Sequence, residues 1–241
     1  MDCSINLIRP LIRRPLILLT IATGLIFLMV SMFASAHGVD DSTRRFLTEN
    51  TGVQFVPFLY IGAKHMFTGY DHLLFLVGLI FFLYNNKDVL IYVTTFTLGH
   101  SLTLLAGVTF DLSVNAYLID AIIGLSVFYK GFDNLGGFKK LLGFQPNTKI
   151  AVFIFGLFHG FGLATKLQEF QLPADSLLPN LIAFNIGVEL GQFSALIFIV
   201  LLLNFLRRMP AYQGVTVTTN SALMSAGLIL MAYQMTGFFV A

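Results

Sequence analysis

Asp71 and His72 sit side by side in an apolar run, and His100, Asp120, His159 and Glu189 each interrupt a separate apolar run further along. Imidazole and carboxylate groups carried on different segments suit one chemistry above others, the holding of a divalent cation between those segments. The only cysteine is Cys3, so thiolate ligation is excluded and any ion must be held by nitrogen and oxygen. Ionisable side chains within membrane-length apolar segments are costly and by default mark function. Their neighbours are suggestive. Thr97, His100 and Ser101 share a helical face, as do Asn185, Glu189 and Gln192. Gly156, Gly160 and Gly162 surround His159 and would let a backbone or an ion come close. Asp71 could ligate an ion directly or hold the His72 ring from behind as a hydrogen-bond acceptor.

Each of these residues also has a plainer reading. A single buried histidine in a helical bundle is more often a hydrogen-bonded packing residue than a ligand. Asp120 could simply bond a hydroxyl on a neighbouring helix, and Asn185 and Gln192 suit helix–helix hydrogen bonds better than ligation. The 26 phenylalanines are bulk for lipid contact and core. The case for a metal rests on the combination Asp71, His72, His100, His159 and Glu189, with Ser101, Asp120, Asn185 and Gln192 as supporting or proton-coupling residues.

The elements that position them are membrane helices. The chain is 56% hydrophobic and 11% charged, against about 25% charged in soluble domains. Lipid demands that backbone groups be satisfied within a segment, so the spans are helical. The predicted fold is an all-α integral membrane protein, a bundle of about six transmembrane helices after an N-terminal signal peptide. Residues 1–36 read as that signal, with Arg9, Arg13 and Arg14 before an apolar run and Ala34-Ser35-Ala36 as a cleavage site. Residues 37–241 form one transmembrane domain. An amphipathic approach segment (54–67) leads to spans at about 68–84, 89–106, 114–129, 150–167, 180–206 and 218–240. Lys87, Lys130, Lys139, Lys140, Lys149, Arg207 and Arg208 then fall on the same side as Arg9, Arg13 and Arg14, ten of the fourteen basic residues. The excess of basic residues inside predicts a bacterial inner-membrane protein with its mature N-terminus and its C-terminus on the periplasmic side.

With a rise of about 1.5 Å per residue, His72 lies roughly 6 Å from the outer end of its span, His100 and Asp120 roughly 9 Å, and His159 and Glu189 roughly 12–14 Å. Spans running in opposite directions thus deliver polar groups to one outer-middle layer. On an unbroken helix His65 would lie about 10 Å above His72. Either Gly69 breaks the helix and folds His65 back, or His65 belongs to a separate site above the main one; the second reading is preferred here. If the signal is removed, His37 becomes the first residue and could capture metal outside, helped by Asp40 and Asp41.

At these residues the sequence resembles the HupE/UreJ family of hydrogenase and urease accessory permeases. His65-Met-Phe-Thr-Gly-Tyr-Asp71-His72 is similar to its H-x5-D-H signature, and F-T-L-G-H-S-L-T-L (96–104), F-G-L-F-H-G-F-G-L-A (155–164) and F-N-I-G-V-E-L-G-Q (184–192) are similar to its second branch. The resemblance implies nickel or cobalt uptake, with His65, Asp71, His72, His159 and Glu189 as the residues concerned. The nickel-linked branch has a second histidine shortly after its F-H-G, where this chain has Phe161-Gly162-Leu163-Ala164.

The expected function is therefore a divalent transition-metal permease, for Ni²⁺, Co²⁺ or Zn²⁺, with an intramembrane His/Asp/Glu site in the outer half of the bundle. The alternative is an intramembrane zinc metallohydrolase, with three histidines on Zn²⁺, Glu189 as base and Ser101 beside the oxyanion. The inner halves of the spans read as almost purely apolar. The expected partners are the metal ion, the bilayer, and a second copy or metalloenzyme-maturation proteins. No basic cluster suited to nucleic acid is present.

Overall fold

The computed structural model describes residues 52–168, 174–210 and 212–240. Among them the fold is all-helical: α1 (Phe55–Thr68), α2 (Tyr70–Ile80), α3 (Asn86–Thr109), α4 (Ala116–Asn134), the short α5 (Gly137–Leu142), α6 (Thr148–Gln168), α7 (Ala174–Leu206) and α8 (Tyr212–Val240). Four of these, α3, α6, α7 and α8, are long and apolar enough to cross a membrane. The chain is a membrane protein. The signal peptide and His37 lie outside the described residues.

Three helix pairs build the bundle, and glycine makes each pair close. In α1·α7, Gly62 abuts the Phe184 carbonyl and Gly187 the Leu59 carbonyl. In α3·α6, Gly99 meets Phe153 and Gly156 meets Phe96. In α4·α8, Gly124 meets Met231 and Gly131 meets Asn220. Helices in lipid gain little from apolar burial against one another, so contact through small residues supplies the attraction. The register of these contacts gives direction: α1 with α7 and α3 with α6 run parallel, whereas α4 and α8 run antiparallel. A chain that passes back and forth six times, with α1 and α2 together as its first pass, has these relative directions.

Two readings of the sequence are corrected here. The stretch 54–67 is no approach segment: α1 packs within the bundle along α7, and Asn180 of α7 ties its start by accepting from the Gln54 N–H and donating to the Gly52 carbonyl. Lys130 is not in a loop. Helix α4 continues to Asn134, and Lys130 is buried in a 2.5 Å ion pair with Asp133, which also accepts from Gln145. The far end of the bundle therefore carries buried polar groups that an apolar reading of the inner halves missed.

The 11-residue α2 is enclosed by the pairs, and its C-terminal carbonyls need partners that lipid cannot provide. Arg207 donates to the carbonyls of Ile80, Phe81 and Leu83, and Asn134 donates to that of Gly78 while also bonding Asn220. With its tail pinned, α2 points its first turn, carrying Asp71 and His72, at the centre of the bundle.

Candidate metal centre

Gly69 decides the geometry. Helix α1 ends at Thr68, Gly69 takes φ −77° and ψ 85°, and α2 begins at Tyr70. A β-carbon on residue 69 would stand 2.9 Å from His72 Nδ1, 3.0 Å from the His65 carbonyl and 3.3 Å from Asp71 Oδ1, so a larger residue would push the His72 ring out of this position. The break turns His65 towards His72, with ring centroids 5.1 Å apart. The preferred reading of His65 as a separate site above is therefore overturned: the helix does not run straight on, so the rise per residue does not apply across Gly69. Irregular backbone at membrane depth is tolerated where it lines a site.

Helices α3 and α6 bring the other two rings. Their parallel packing sets Gly160 against the His100 carbonyl and the Thr103 hydroxyl, and Thr103 donates to the Leu157 carbonyl at 2.7 Å. His100 and His159 consequently face the α1–α2 break, with ring centroids 6.0 Å and 4.8 Å from that of His72. One ligand atom from each of His65, His72 and His100 lies within 4.8 Å of the others, and the same holds for Asp71, His72 and His159.

The hydrogen bonds of the cluster are one-sided. His72 Nδ1 pairs with Asp71 Oδ1 at 3.1 Å, and His159 Nδ1 donates to the Phe155 carbonyl at 2.7 Å. With Nδ1 carrying the proton in each, the Nε2 lone pairs are left over. His65 Nε2, His72 Nε2, His159 Nε2 and both nitrogens of His100 are buried with no hydrogen-bond partner among the described residues. An unsatisfied buried polar group costs about 1–3 kcal/mol, so five in one place call for an explanation. A cation accepting one lone pair from each of the four rings would satisfy four of them, the fifth being the N–H of His100. On the far side the site is closed by phenyl rings: Phe75 and Phe96 lie 5.7 Å and 5.0 Å from the His159 ring, and Phe155 stands 5.8 Å from Phe75.

The remaining residues singled out in the sequence are placed as follows. Glu189 is exposed on α7 and lines a lateral groove of about 310 Å³ with Thr94, Thr97 and Gln192; neither group of converging ligand atoms includes it. Buried Thr97 donates to Gln192 Oε1 at 2.7 Å, a helix–helix bond joining α3 to α7. Asn185 donates to the Leu181 carbonyl, and its own Oδ1 is buried without a partner among the described residues. Ser101 is half-buried beside His100. Asp120 pairs with Lys166, near the end of α6 and seven residues from His159, a spacing that puts both on one face of the helix.

Fold and site together define an integral membrane protein whose histidine and aspartate side chains form groups able to hold a metal ion. The chain belongs to the HupE/UreJ family: the profile of the family described as HupE / UreJ protein matches residues 41–241. No curated protein and no solved structure matches it.

Proposed function

We propose that this membrane protein is a permease for a divalent transition-metal ion of the nickel, cobalt or zinc kind. In this reading His65, His72, His100 and His159 hold the travelling ion, and Asp71 fixes the ring of His72 from behind. The observation that carries it is the set of imidazole nitrogens on α1, α2, α3 and α6 that are buried without a partner among the described residues. Neutral imidazoles suit borderline ions such as Ni²⁺, Co²⁺ and Zn²⁺. A carboxylate behind a ligating histidine raises its basicity and fixes its tautomer, which is the role suited to Asp71 at 3.1 Å from Nδ1. Membership of a family named for hydrogenase and urease accessory proteins supports nickel or cobalt as the cargo and metalloenzyme maturation as its destination.

The break at Gly69 supports transport over static storage, because a broken helix can reorient its two halves about a bound ion. The buried Lys130–Asp133 pair and the Asn134–Asn220 bond supply polar groups beyond the phenyl floor, on the side where the ion would leave. The excess of basic residues supports a reading in which that side faces the cytoplasm and both mature termini face the periplasm of a bacterial inner membrane. Residues 1–36 would be the removed signal, and His37 an outer capture group.

The test uses purified full-length protein. Elemental analysis after loading with Ni²⁺ or Co²⁺ should find about one ion per chain, and vesicles containing the protein should accumulate that ion. Protein that retains no ion, and gains no thermal stability from any of the three metals, would refute the proposal.

A further inference from the structure

Seven residues beyond His159, on the same face of α6, stands Lys166. Its ammonium lies 3.1 Å from Asp120 Oδ2 and 3.3 Å from Oδ1, on α4. Gln234 of α8 approaches the same carboxylate, Nε2 to Oδ2 3.5 Å. Gly162, between His159 and Lys166, lets α4 lie close to α6; a β-carbon there would stand 3.1 Å from Ile123 and 3.2 Å from Ile119. Three helices thus deliver a carboxylate, an amide and an ammonium to a point beside α6, a short way along the helix from the histidine cluster.

The exposures are unequal. Asp120 and Gln234 are 7% and 5% exposed, while the Lys166 side chain is 23% exposed. The anion and the amide are deep, and the cation reaches them from the more open side. Buried ion pairs are poor stabilisers on balance, since removing both charges from water offsets most of their attraction. A lysine is also a mobile cation, a compact charge on a flexible four-carbon stem. What could take its place at Asp120 is another cation, and one of charge two would compete well for a buried carboxylate. Oxygen is the donor available: the two carboxylate oxygens, the Gln234 amide oxygen once that side chain turns, and water.

We propose that Asp120 and Gln234 form a second, oxygen-donor station for a partly hydrated divalent cation bound for the four histidines, and that Lys166 is the built-in cation which holds this station until the ion displaces it. The role as an approach station rests on the histidine cluster being the ion's site; the Asp120 station itself is measurable without it. Lys166 then has two effects. It keeps the buried carboxylate neutralised between ions, and it makes loading depend on an ion that out-competes an ammonium, which disfavours monovalent cations.

The experiment is a Co²⁺ titration of full-length protein in lipid nanodiscs, followed by equilibrium dialysis and by visible absorption. Six-coordinate Co²⁺ in oxygen surroundings absorbs weakly, and four-coordinate Co²⁺ on imidazole absorbs strongly, so the two sites are told apart. Wild type, K166M, K166Q, K166M/D120N and K166M/H72A are compared. K166M should gain a weakly absorbing second equivalent that half-saturates at a Co²⁺ concentration at least tenfold below any second equivalent of wild type. The gain should vanish in K166M/D120N and persist in K166M/H72A. K166Q retains a hydrogen-bond donor for the carboxylate and should show the same gain if K166M folds poorly. No second equivalent in either variant, or one that survives D120N, overturns the proposal. Unfolding of both variants that Co²⁺ does not reverse also overturns it, because an ion able to replace the ammonium must neutralise the buried carboxylate in its absence. Absence of the strongly absorbing equivalent from wild type would instead refute the histidine site and leave the Asp120 station to stand or fall on its own result.

Discussion

Asp71→Asn, set beside His72→Ala, separates a residue that orients a ligand from a ligand. The amide keeps the shape of the side chain and removes its charge. The contact it alters, Asp71 Oδ1 to His72 Nδ1 at 3.1 Å, is a hydrogen bond to a charged acceptor, worth about 1.5–3 kcal/mol. Asparagine can still accept from Nδ1, so the change removes the charge rather than the bond, and ion binding should weaken within the range of about 10–100-fold seen for partners behind a ligating imidazole. His72→Ala removes one of four ligands. If the whole set binds with about 10–16 kcal/mol, as structural zinc sites do, one ligand accounts for about 2.5–4 kcal/mol, a loss of about 100–1000-fold. Thermal melts of metal-free and Ni²⁺-loaded protein give the readout. At an ion concentration about 1000 times the wild-type Kd, the ion should stabilise wild type by about 4 kcal/mol, Asp71→Asn by about 1.4–2.7 kcal/mol and His72→Ala by about 0.4–1.4 kcal/mol. The metal-free forms should melt close together, since a carboxyl group at membrane depth costs insertion energy and the fold does not need its charge. Equal stabilisation of all three proteins would place the site elsewhere. A loss in Asp71→Asn as large as in His72→Ala would put the carboxylate on the ion itself.

Three further outcomes follow from the packing. Gly160→Ala sets a methyl group against the His100 carbonyl and the Thr103 hydroxyl, so α3 and α6 must part; melting should show a loss of about 1–3 kcal/mol, with weaker Ni²⁺ retention because His100 and His159 ride on those helices. Unchanged melting and retention would mean that the two helices are not so close. Arg207→Met strips a charged donor from the carbonyls of Ile80, Phe81 and Leu83 and should lower the stability of metal-free protein by at least about 2 kcal/mol, with a smaller effect on Ni²⁺ affinity than His72→Ala. Glu189→Gln, on the exposed face of α7, should change Ni²⁺ affinity by no more than about twofold in dialysis, given the roughly tenfold or larger effect of altering a group at or behind a metal ligand; a larger loss would draw Glu189 into the ion's site.

Much of this protein is written in its sequence because lipid is a demanding solvent. A chain 56% hydrophobic and 11% charged, with apolar runs of spanning length, must be a helical membrane protein, since no other open backbone arrangement is satisfied there. The family was legible for a related reason: H-x5-D-H and the stretches around His100, His159 and Glu189 are short, ordered strings of polar residues and glycine set in apolar surroundings. The convergence of three rings was legible too. A fixed rise per residue ranks His72, His100 and His159 along their helices, and the structure has the His100 and His159 rings 6.0 Å and 4.8 Å from that of His72.

What a rise per residue does not supply is direction around the helix axis, or the point at which a helix stops. In water an apolar stripe marks the inner face, but in lipid both faces are apolar. Glu189 was expected at the depth of the histidines and lies on the exposed side of α7, while Gln192, one turn on, points inward to Thr97. His65 shows the second limit. Its place beside His72 depends on the break at Gly69, where atoms of His65, Asp71 and His72 crowd in once the chain has turned. The same holds for Lys130, which looks like a loop cation in sequence and is buried beside Asp133 because the helix runs on to Asn134, and for Lys166, whose partner Asp120 arrives from another helix. Composition and spacing determined that polar groups would meet inside this membrane protein; which of them meet was decided by close glycine contacts between helices, and these exist only in the packed structure.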